Sequence, residues 1–384
     1  MRVALIDPSL FTLPYDAALA AGLLAEGHEV VLHGRAPGPD DNAVDGVPLR
    51  PSFYRVTGRI TGAPALARLP RTLRLGLKGV DHAWSMAALM RRLRRERPDV
   101  IHFQWLPLPI VDRRFLKGLR SIAPLVLTVH DTNPFNGNPA GTLQRVGAHA
   151  AFRDFDRLIV HTEQGRARLL AHGEAADRVT VMPHGLLGRA STAGAADPMR
   201  GELTFLLFGK IKPYKGADLL IEAFARMDPA LRGQARLRIV GKPYMDLEPL
   251  HVLAQKLGVA DRLVVEPRFV GDEEVNGIFA PGTVATFPYR EIEASGVLSL
   301  AITFGRPILA ARLGGFTEAV RDGEHGLLVA PEDVAALSAA MARFVSERDF
   351  AAACAAEVRA LTASVPSWPA IARRTAELYA SLRQ

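Results

Sequence analysis

Short apolar runs alternate with segments of helical spacing along most of the 384-residue chain. The first run is RVALID; YDAALAAGLLAEGH follows at helical spacing and ends at Gly27, after which EVVLHG forms a second run. DVIHFQW, PLVLTVH and RLIVHT continue the pattern. Because strands that are apolar throughout and alternate with helices are typical of sheets covered on both faces, this part of the chain is predicted to form a parallel α/β sheet.

The alternation stops after VTVMPHG, in the Ala-, Gly- and Ser-rich stretch LLGRASTAGAADPMRGE. It restarts with LTFLLFG and continues through RLRIVG, RLVVEP, VATFPY, PILAA and GLLV, with predicted helices from Gly216 through Met227 and around Leu250 to Leu257. The interruption predicts a linker at 186–202.

The linker divides the chain into an N-terminal domain, 1–185, and a C-terminal domain, 203–364. The last segment, 365–384, contains a helix over roughly Trp368 to Leu382, which we expect to pack back on the N-terminal domain. The predicted fold is α/β, with two doubly wound Rossmann-like domains that face a cleft. Ligands of such sheets bind at the carboxyl ends of the strands.

Composition narrows the class of protein. The chain is 48% hydrophobic and 23% charged, which is typical of a globular protein, and it contains one cysteine, Cys354. A single cysteine excludes an intramolecular disulfide framework and indicates a reducing compartment. The N-terminal MRVALIDPSL reads as a first strand and not as a signal peptide, and no apolar run approaches the length of a membrane span. We therefore expect a soluble, cytoplasmic protein.

The net charge of +7 is unevenly distributed. Up to Arg189 there are 25 Lys and Arg against 17 Asp and Glu, whereas the remainder has 22 against 23. Most of the excess lies between Arg50 and Arg97, in RLPRTLRLGLKG and MRRLRRERPD. The segment is either a solvated arginine-rich helix face or a patch for an anionic membrane surface or polyanionic partner. It lacks interleaved aromatic residues and any nucleic-acid-binding motif, so we expect no nucleic acid.

Candidate chemistry begins with FGKIKPYKGADLLIEAF, directly after the first strand of the C-terminal domain. Gly209 allows a tight exit from the strand, Lys210 and Lys215 are five residues apart, and Gly216 precedes a helix. Two lysines beside a helix N-terminus suit a diphosphate, although surface lysines on a loop would give the same pattern. The next strand exit, RLRIVGKP, also ends in a glycine, Gly241, which lets the backbone approach a ligand closely.

The stretch FPYREIEASGVLSLAITFGRP contains a second possible anion site. Ser295 is predicted to be an N-cap, and the amides of Gly296, Val297 and Leu298 would then be available to a phosphate. A capped helix without a ligand is the alternative.

Together these segments resemble the retaining glycosyltransferases of family 4, which have the GT-B fold. The matching segments are GKIKPYKGADLLIEAF, RFVGDEEV, FPYREIEASGVLSLAITFGRPILAARLGGFTEAVRDGEHGLLV and SWPAIARRTAELYASL, with TVHDTN, DRLIVHTEQGRARLL and VMPHG in the first half. The resemblance implies transfer of a sugar from a nucleotide-diphosphate sugar to an acceptor hydroxyl, without a metal or other cofactor.

The resemblance also assigns residues. Lys210 and Lys215 would stabilise charge on the departing diphosphate, and His130 of TVHD would lie near the transferred sugar. Donor contacts are expected from Gly209, Gly241 and Arg268, from Glu291 or Glu293, and from Ser295, Gly296, Val297 and Leu298. A core histidine at 130 is the alternative. His161 and His184 are interpreted as mainly structural, and Asp154-Phe155-Asp156 as lying away from the donor segments and holding no metal.

Two departures from the family pattern stand out. Many members carry two glutamates with seven residues between them around this turn, but the corresponding positions here are Ile292 and Leu300. Glu291 and Glu293 flank the first position, so one of them can supply a carboxylate, whereas the second carboxylate, expected on the ribose, has no replacement. The sequence therefore resembles a branch of the family with a Ser-Gly turn in place of the paired glutamates.

The second departure is the loop after the first strand, DPSLFTLPYDAAL, which lacks the glycine pair of many relatives. Side chains then become the candidates for acceptor contact: Ser9, Thr12, Tyr15 and Asp16, with His102 and Gln104 at another strand exit. Ordinary helix capping by Thr12 or Asp16 is the alternative.

The leading hypothesis is a retaining transferase of polysaccharide or glycoconjugate synthesis, with a glycan or lipid-linked acceptor and possible contact with the inner face of a membrane. Two alternatives stay open: a GT-B enzyme that acts on the nucleotide sugar itself, such as an epimerase or phosphorylase, and a non-catalytic partner of an active transferase. The absence of a glutamate at Leu300 favours the last, and the retained Lys210, Lys215 and Ser-Gly turn count against it.

Overall fold

The computed structural model describes residues 1–42, 44, 46–60, 70–132, 147–188, 199, 201–292 and 295–383. The chain divides into two compact units: unit 1 is Met1–Gly185 with Pro366–Gln384, and unit 2 is Leu186–Val365. Most of the linker predicted at 186–202 falls outside the described residues.

The described residues of unit 1 contain seven parallel strands: β1 (Arg2–Ile6), β2 (Glu29–Arg35), β3 (Leu49–Phe53), β4 (Val100–Phe103), β5 (Leu125–Thr128), β6 (Arg157–Val160) and β7 (Val179–Val181). They form one sheet in the order β3-β2-β1-β4-β5-β6-β7. Its helices are α1 (Leu13–Ala25), α2 (Thr57–Ile60), α3 (Arg71–Glu96), α4 (Pro109–Arg120), α5 (Ala148–Phe152), α6 (Glu163–Ala171) and, at the C-terminus, α15 (Trp368–Ser381).

The part of unit 2 that the structure describes contains six parallel strands: β8 (Leu203–Phe208), β9 (Ala235–Val240), β10 (Leu263–Glu266), β11 (Thr283–Phe287), β12 (Ile308–Ala311) and β13 (Gly326–Val329). Their order is β10-β9-β8-β11-β12-β13. Its helices are α7 (Ala217–Arg226), α8 (Pro229–Arg232), α9 (Glu248–Lys256), α10 (Asp272–Ile278), α11 (Gly296–Thr303), α12 (Gly314–Ala319), α13 (Val334–Ser346) and α14 (Arg348–Leu361).

The predicted fold class, two doubly wound parallel α/β sheets, is confirmed. In each unit the apolar side chains of the strands fill two clusters, one on each face of the sheet. The central strands β4, β5, β11 and β12 are buried at every position. Burial on both faces explains why these strands are apolar throughout and do not alternate with polar residues.

The strand β3 was not predicted from the sequence. Its five residues, LRPSF, contain Pro51, which has no amide hydrogen to donate to a neighbour. Proline is tolerated here because β3 lies at the edge of the sheet and pairs with β2 alone. The run is also too short and too polar to give a strand pattern by periodicity.

The C-terminal helix α15 packs along α1 within unit 1. A side chain added at Gly22 of α1 would place its Cβ 2.9 Å from the Cβ of Ala372 and from the carbonyl oxygen of Trp368. The absent side chain therefore allows close helix packing. Ser367 begins α15 by accepting a hydrogen bond from the Ala370 amide.

No helix in the described part of the chain combines the length and apolar character needed to cross a membrane.

Candidate functional site

The order of strands in unit 2 reverses direction between β8 and β11. The chain moves outward from β8 to β9 and β10 on one side, and from β11 to β12 and β13 on the other. The loops that leave two such neighbouring strands diverge and open a crevice at the carboxyl edge of the sheet. The loop after β8 carries Gly209 and Lys215, and the segment after β11 leads to Ser295, so the topology brings both predicted anion sites to one edge.

Lys215 is buried at this edge, with only 5% of its surface exposed. Its Nζ donates a hydrogen bond to the Phe208 carbonyl oxygen at 3.0 Å and lies 5.2 Å from the centre of the Tyr289 ring. Burial lowers the pKa of Lys215 to about 7, with smaller contributions from the charges of Lys212 and Lys210. Lys210, by contrast, is exposed. Lys210 and Lys215 look equivalent in the sequence, but they differ in their exposure to solvent.

Glycines allow the backbone to close around Lys215. Gly209 has φ +92°, and a Cβ there would lie 3.1 Å from both Lys215 Nζ and Val297 Cγ2, which places the ammonium group and the first turn of α11 against the same glycine. A Cβ at Gly241 would lie only 2.0 Å from the Gly209 carbonyl oxygen. The close approach that Gly241 was predicted to allow is thus made by the backbone of Gly209.

Ser295 is the N-cap of α11, as predicted. Its backbone is extended, and its side-chain oxygen accepts a hydrogen bond from the Leu298 amide at 3.4 Å. The Leu298 amide also donates to the Ser295 carbonyl oxygen at 3.1 Å. The expectation that Leu298 offers its amide to a phosphate is therefore wrong, because the cap uses that donor. Among the described residues, the amides of Gly296 and Val297 donate to no oxygen atom, so two of the three predicted donors stand open.

Of the two glutamates predicted to contact the donor, one lies in the described residues. Glu291 is partly exposed, and Glu293 lies outside the described residues. Leu300, at the position of the second expected glutamate, packs in the apolar cluster of this face, and its Cδ2 would lie 2.9 Å from a Cβ at Gly188. Leu300 therefore has a packing role, and no ribose contact through a carboxylate is available at this position.

Arg268 is exposed and already paired with carboxylates. Its guanidinium group lies 2.8 Å from Glu274 and 3.2 Å from Glu266. Binding of a donor by Arg268 would have to compete with these two contacts.

Arg290 was not predicted as a site residue, yet its hydrogen bonds connect the loop after β8 to the segment that follows β11. Its two terminal nitrogens donate to the Asp218 carboxylate at 3.0 and 2.7 Å, and one of them also donates to the Pro213 carbonyl oxygen at 3.0 Å. Its backbone amide donates to the Tyr214 carbonyl oxygen at 2.8 Å. Arg290 thus holds the 3₁₀ turn Pro213–Lys215 and the start of α7 against the segment that follows β11. The bidentate pairing was not visible in the sequence because Asp218 and Arg290 are 72 residues apart.

In unit 1, three histidines and Tyr15 gather at the carboxyl ends of the central strands. The Tyr15 ring lies 4.9 Å from His130, 5.1 Å from His161 and 5.2 Å from His184, measured between ring centres. Burial lowers the pKa of His130 well below its usual value and that of His161 to about 3, so both imidazoles are neutral at pH 7.

The hydrogen bonds fix the tautomers of these two rings. His161 Nδ1 lies 3.0 Å from the Met182 carbonyl oxygen, which can only accept, so Nδ1 carries the proton. His161 Nε2 is then an acceptor, and His130 Nδ1, 3.1 Å away, must donate to it. His130 Nε2 is left with a lone pair, and the atom 3.4 Å from it is Gln104 Oε1, also an acceptor, so Gln104 does not donate the hydrogen that Nε2 can accept. This role of His161 was not predicted from the sequence.

Most of the residues predicted to contact an acceptor lie inside unit 1. Tyr15 is 3% exposed, and Asp16, His102 and Gln104 are fully buried. His102 bonds to the Tyr379 hydroxyl at 2.6 Å and to Thr128 at 2.8 Å. The prediction that these four residues contact the acceptor directly is therefore wrong. Their side chains are used in internal packing and hydrogen bonds.

Ser9 and Thr12 remain partly exposed, but their hydroxyls point to buried carboxyl groups. Thr12 Oγ1 donates toward Asp16 Oδ1 at 3.1 Å, with Asp7 Oδ2 at 3.3 Å, and Ser9 Oγ lies 3.4 Å from Asp7 Oδ1. The structure gives Thr12 no side-chain capping bond to α1. Asp7 and Asp16 are fully buried and hydrogen-bonded to each other. Burial raises the pKa of both carboxyl groups, and the Asp7 charge raises the pKa of Asp16 further.

A small pocket opens beside His130 within unit 1. Its described lining is mainly apolar and aromatic, with Asp131 as its charged residue: Trp105, Leu106, Pro109, Leu127, Thr128, Val129, His130, Asp131, Ala148 and Phe152. Trp105 stacks on Phe11 with ring centres 4.6 Å apart. A surface of this kind suits the apolar face of a sugar ring better than an anion.

The Asp154-Phe155-Asp156 sequence has a structural role. Asp154 accepts a hydrogen bond from Arg113 at 2.6 Å, and Asp156 pairs with Arg120 and accepts from the Leu125 amide at 2.8 Å. In the described residues, no group of three or more His, Cys, Asp or Glu side chains is arranged to hold a metal ion.

Comparison with known proteins identifies the family. The model of the glycosyl transferase 4-like domain matches residues 14–185, and the model of glycosyl transferases group 1 matches residues 202–347. A D-inositol 3-phosphate glycosyltransferase of Streptomyces scabiei is 30% identical over an alignment of 397 positions, gaps included, that covers 95% of this chain and 85% of the relative.

Solved structures show the same fold. Anabaena HepE in complex with UDP and glucose superposes with a TM-score of 0.75 at 19% identity, covering 100% of both chains. Sucrose-phosphate synthase from Thermosynechococcus elongatus gives a TM-score of 0.75 at 19% identity, covering 99% of this chain and 98% of the other. The two matched domain models together span both units. The chain therefore belongs to the family 4 glycosyltransferases and has the GT-B fold.

Proposed function

We propose that this glycosyltransferase moves a sugar from a nucleotide-diphosphate donor to an acceptor hydroxyl with retention of anomeric configuration. The observation that carries the proposal is the position of Lys215, whose buried ammonium group and the first turn of α11 lie against the same residue, Gly209. The two open amides at Gly296 and Val297 carry partial positive charge at the helix N-terminus. The diphosphate of a nucleotide sugar is the anion that fits a lysine and a helix N-terminus at a switch point.

The chemical role of Lys215 follows from where charge develops. As the bond between sugar and diphosphate breaks, negative charge grows on the leaving phosphate oxygen. A lysine held by the Phe208 carbonyl and the Tyr289 ring needs little reorganisation to stabilise that charge. With Lys215, Lys210 and the helix N-terminus as cationic groups, the mechanism we propose needs no metal ion.

His130 is proposed to bind the transferred sugar. The tautomer set by His161 leaves His130 Nε2 as an acceptor, and a sugar hydroxyl is a donor of matching chemistry. Burial lowers the pKa of His130 well below its usual value and makes it a weak base, so we propose that the leaving phosphate of the donor receives the acceptor proton, as in front-face retention. The covalent alternative requires a carboxylate nucleophile near the sugar, for which Glu291 and Glu293 are the candidates.

For the acceptor, we propose a glycan or lipid-linked sugar of polysaccharide or glycoconjugate synthesis. The apolar and aromatic lining of the unit 1 pocket supports this choice. A membrane-bound acceptor would also place the enzyme at the inner face of a membrane. The relative from Streptomyces scabiei favours a second candidate, a phosphorylated cyclitol, because that protein is a D-inositol 3-phosphate glycosyltransferase. A phosphate acceptor would need a cation, and the described lining of the pocket contains none.

The proposal is tested with a panel of UDP-, GDP-, dTDP- and ADP-sugars. We expect one donor class to raise the melting temperature and to release its nucleoside diphosphate when an acceptor is added, with undiminished rates in EDTA. Proton NMR of the product then reads the anomeric configuration. Absence of both stabilisation and turnover with every donor would support the non-catalytic alternative, whereas conversion of the donor without transfer would support the epimerase-like one.

Inositol 3-phosphate and a glycan-primed lipid acceptor are compared with the same donor. Faster transfer to the glycan is expected from the lining of the pocket. Exclusive use of inositol 3-phosphate would overturn the proposed acceptor class while leaving the donor site intact.

A further inference from the structure

Arg290 uses every nitrogen of its side chain in contacts with other strand exits of unit 2. Nη1 and Nη2 donate to the Asp218 carboxylate at 3.0 and 2.7 Å, and Nη1 also donates to the Pro213 carbonyl oxygen at 3.0 Å. Nε donates to Glu332, which follows β13, at 3.1 Å. The guanidinium group thus joins the loop after β8, the segment after β11 and the turn after β13.

The segment that carries Arg290 also packs against the residues on either side of Lys215. Before the lysine, the Tyr214 carbonyl oxygen accepts a hydrogen bond from the Arg290 amide at 2.8 Å. After it, a Cβ at Gly216 would lie only 2.0 Å from the Pro288 carbonyl oxygen, so the two backbones are in close contact. The backbone that carries Lys215 is therefore held on both sides by the segment after β11.

The position of the Lys215 ammonium group depends on that packing. Its Nζ donates to the Phe208 carbonyl oxygen at 3.0 Å and lies 5.2 Å from the centre of the Tyr289 ring. Burial, with smaller contributions from the charges of Lys212 and Lys210, lowers its pKa to about 7. Because burial and like charges both disfavour an ammonium group in this place, the side chain would turn toward solvent if its backbone were released.

Asp218 is the main partner of Arg290. It lies in the first turn of α7, three residues after Lys215, and its side chain is 40% exposed. Burial would raise the pKa of Asp218, but the hydrogen bond and the charge of Arg290 lower it below its usual value. The carboxylate is therefore charged at neutral pH and holds the guanidinium group through two parallel bonds. Glu332, which is more exposed and bound through one nitrogen, contributes less.

We propose that Arg290, through Asp218 and the Pro213 carbonyl, is a positioning residue that keeps Lys215 at the donor site. Arg290 has no assigned contact with the donor and acts by fixing the turn that carries the lysine. Its effect on donor binding rests on the proposed function, whereas its effect on Lys215 can be measured without a donor. An ion pair that only added stability to unit 2 would leave the ionisation of Lys215 unchanged.

The first test is the titration of Lys215 in the free protein, followed by NMR of lysines labelled with carbon-13 at Cε. Lys215→Met identifies the signal. The wild type should titrate with a pKa of about 7. In Arg290→Gln the released turn exposes the ammonium group to water, so the pKa of Lys215 should rise toward that of an exposed lysine. An unchanged titration in a folded Arg290→Gln protein would overturn the proposal.

Milder variants keep the test decisive if Arg290→Gln folds poorly. Arg290→Lys keeps the charge but cannot form the two parallel bonds, and Asp218→Asn keeps the shape of the partner without its charge. Both should raise the pKa of Lys215 less than Arg290→Gln does. Arg290→Gln combined with Asp218→Asn should have no larger effect than Arg290→Gln alone, because the pair acts as a unit. Additive effects of the two substitutions would contradict the proposal.

Arg262→Gln is the matched control. Arg262 pairs with Glu202 at 2.9 Å at the amino edge of the same sheet, and its side chain is 36% exposed against 30% for Arg290. The substitution removes an ion pair from unit 2 and should leave both the Lys215 titration and donor affinity unchanged. A change in the titration as large as that in Arg290→Gln would show a general loss of stability and would overturn the positioning role.

Donor binding is the second test, and it separates this proposal from the proposed function. With the donor selected from the panel, Arg290→Gln should weaken binding at least about tenfold. Proton uptake on binding at pH 8 should also fall, because Lys215 is already charged in the free variant. Weakened binding with an unchanged Lys215 titration would overturn positioning by Arg290. A titration that responds while donor affinity does not would support the positioning and refute the donor role of Lys215.

Discussion

His161 Nε2 lies 3.1 Å from His130 Nδ1, and this contact decides which nitrogen of His130 carries its proton. The Met182 carbonyl sets the tautomer of His161, and His161 in turn sets that of His130. His161, for which we propose no sugar contact, thus controls the hydrogen-bonding character of His130, which we propose as a sugar ligand.

His161→Phe should keep the ring packing and remove this control. We expect kcat/KM to fall about tenfold, the effect of losing one hydrogen bond worth roughly 1–1.5 kcal/mol. Nitrogen-15 NMR of the imidazoles should show His130 changing from protonation at Nδ1 to a mixture of tautomers. His184→Gln is the control, because His184 packs beside Tyr15 and bonds to the Gly185 carbonyl instead of His130. A His130 spectrum unchanged in His161→Phe would refute the assignment.

Donor affinity should depend on pH through Lys215. Its pKa in the free protein is about 7, and a bound diphosphate stabilises the charged form, so binding takes up a proton as pH rises above 7. Affinity for a nucleotide sugar should therefore fall by up to about tenfold per pH unit between pH 7 and the higher pKa of the complex. Calorimetry in buffers of different ionisation enthalpy measures the proton uptake.

Two variants separate Lys215 from its neighbour. Lys215→Met should remove the pH dependence of binding together with most of the affinity, whereas Lys210→Ala should weaken binding and keep the slope. Equal slopes in both variants would show that Lys215 is not the titrating group.

The buried pair Asp7 and Asp16 predicts a pH dependence of stability. Because the pKa of both carboxyls is raised in the folded protein, the stability they contribute is fully present below their unfolded pKa and is lost as pH rises through the folded value. Asp16→Asn mimics the protonated partner and should raise the unfolding free energy at pH 8 by about 1 kcal/mol and flatten its pH profile. The measurement is urea denaturation between pH 5 and 9.

Asp7→Asn is the matched comparison. Asp7 accepts the amide hydrogens of Ser9 and Thr12 at 3.1 and 2.9 Å, and an asparagine amide group would oppose one of these donors. We expect a loss of about 1–3 kcal/mol at every pH. Similar effects of the two asparagine substitutions would contradict the assigned proton position.

Gly209 should be needed for donor binding. Gly209→Ala places a Cβ 3.1 Å from Lys215 Nζ at a backbone φ of +92°, so we expect donor affinity to fall at least about tenfold and unit 2 to be destabilised by about 1–2 kcal/mol. At Gly271 a Cβ meets nothing within 4 Å. Gly271→Ala should therefore leave donor affinity unchanged, as measured by titration calorimetry, and a loss of affinity equal to that of Gly209→Ala would count against the specific role of Gly209.

Much of the fold follows from periodicity. Apolar strands that alternate with helices determine two parallel sheets, and the strand exits at Gly209 and Gly241 could be found because a glycine follows each apolar run. The edge strand β3 could not be predicted, because a five-residue segment that contains Pro51 has neither the apolar pattern nor the residue preferences of a strand. The pairing of β3 depends on the neighbouring strand β2, and its own five residues do not reveal it.

The site was predicted less completely. Sequence places Lys210 and Lys215 in one loop, but the burial of Lys215 depends on the 3₁₀ turn folding under Tyr289 and on the Arg290–Asp218 pair, which are long-range contacts. His161 was within reach of prediction: it and His130 follow the adjacent strands β6 and β5, whose carboxyl ends lie side by side. The acceptor residues were mistaken because Tyr15 and Asp16 face inward from α1, a direction that loop composition does not reveal.

The central claim is that the diphosphate of a nucleotide sugar binds beside Lys215 and the first turn of α11. Hydrogen–deuterium exchange of the wild type and of Lys215→Met, with the donor selected from the panel, tests it most directly. The account predicts slower exchange at 209–216 and 295–299 in the wild type on donor binding, with most of that protection lost in Lys215→Met. Donor binding that protects neither segment, or that protects both equally in the two proteins, would contradict it.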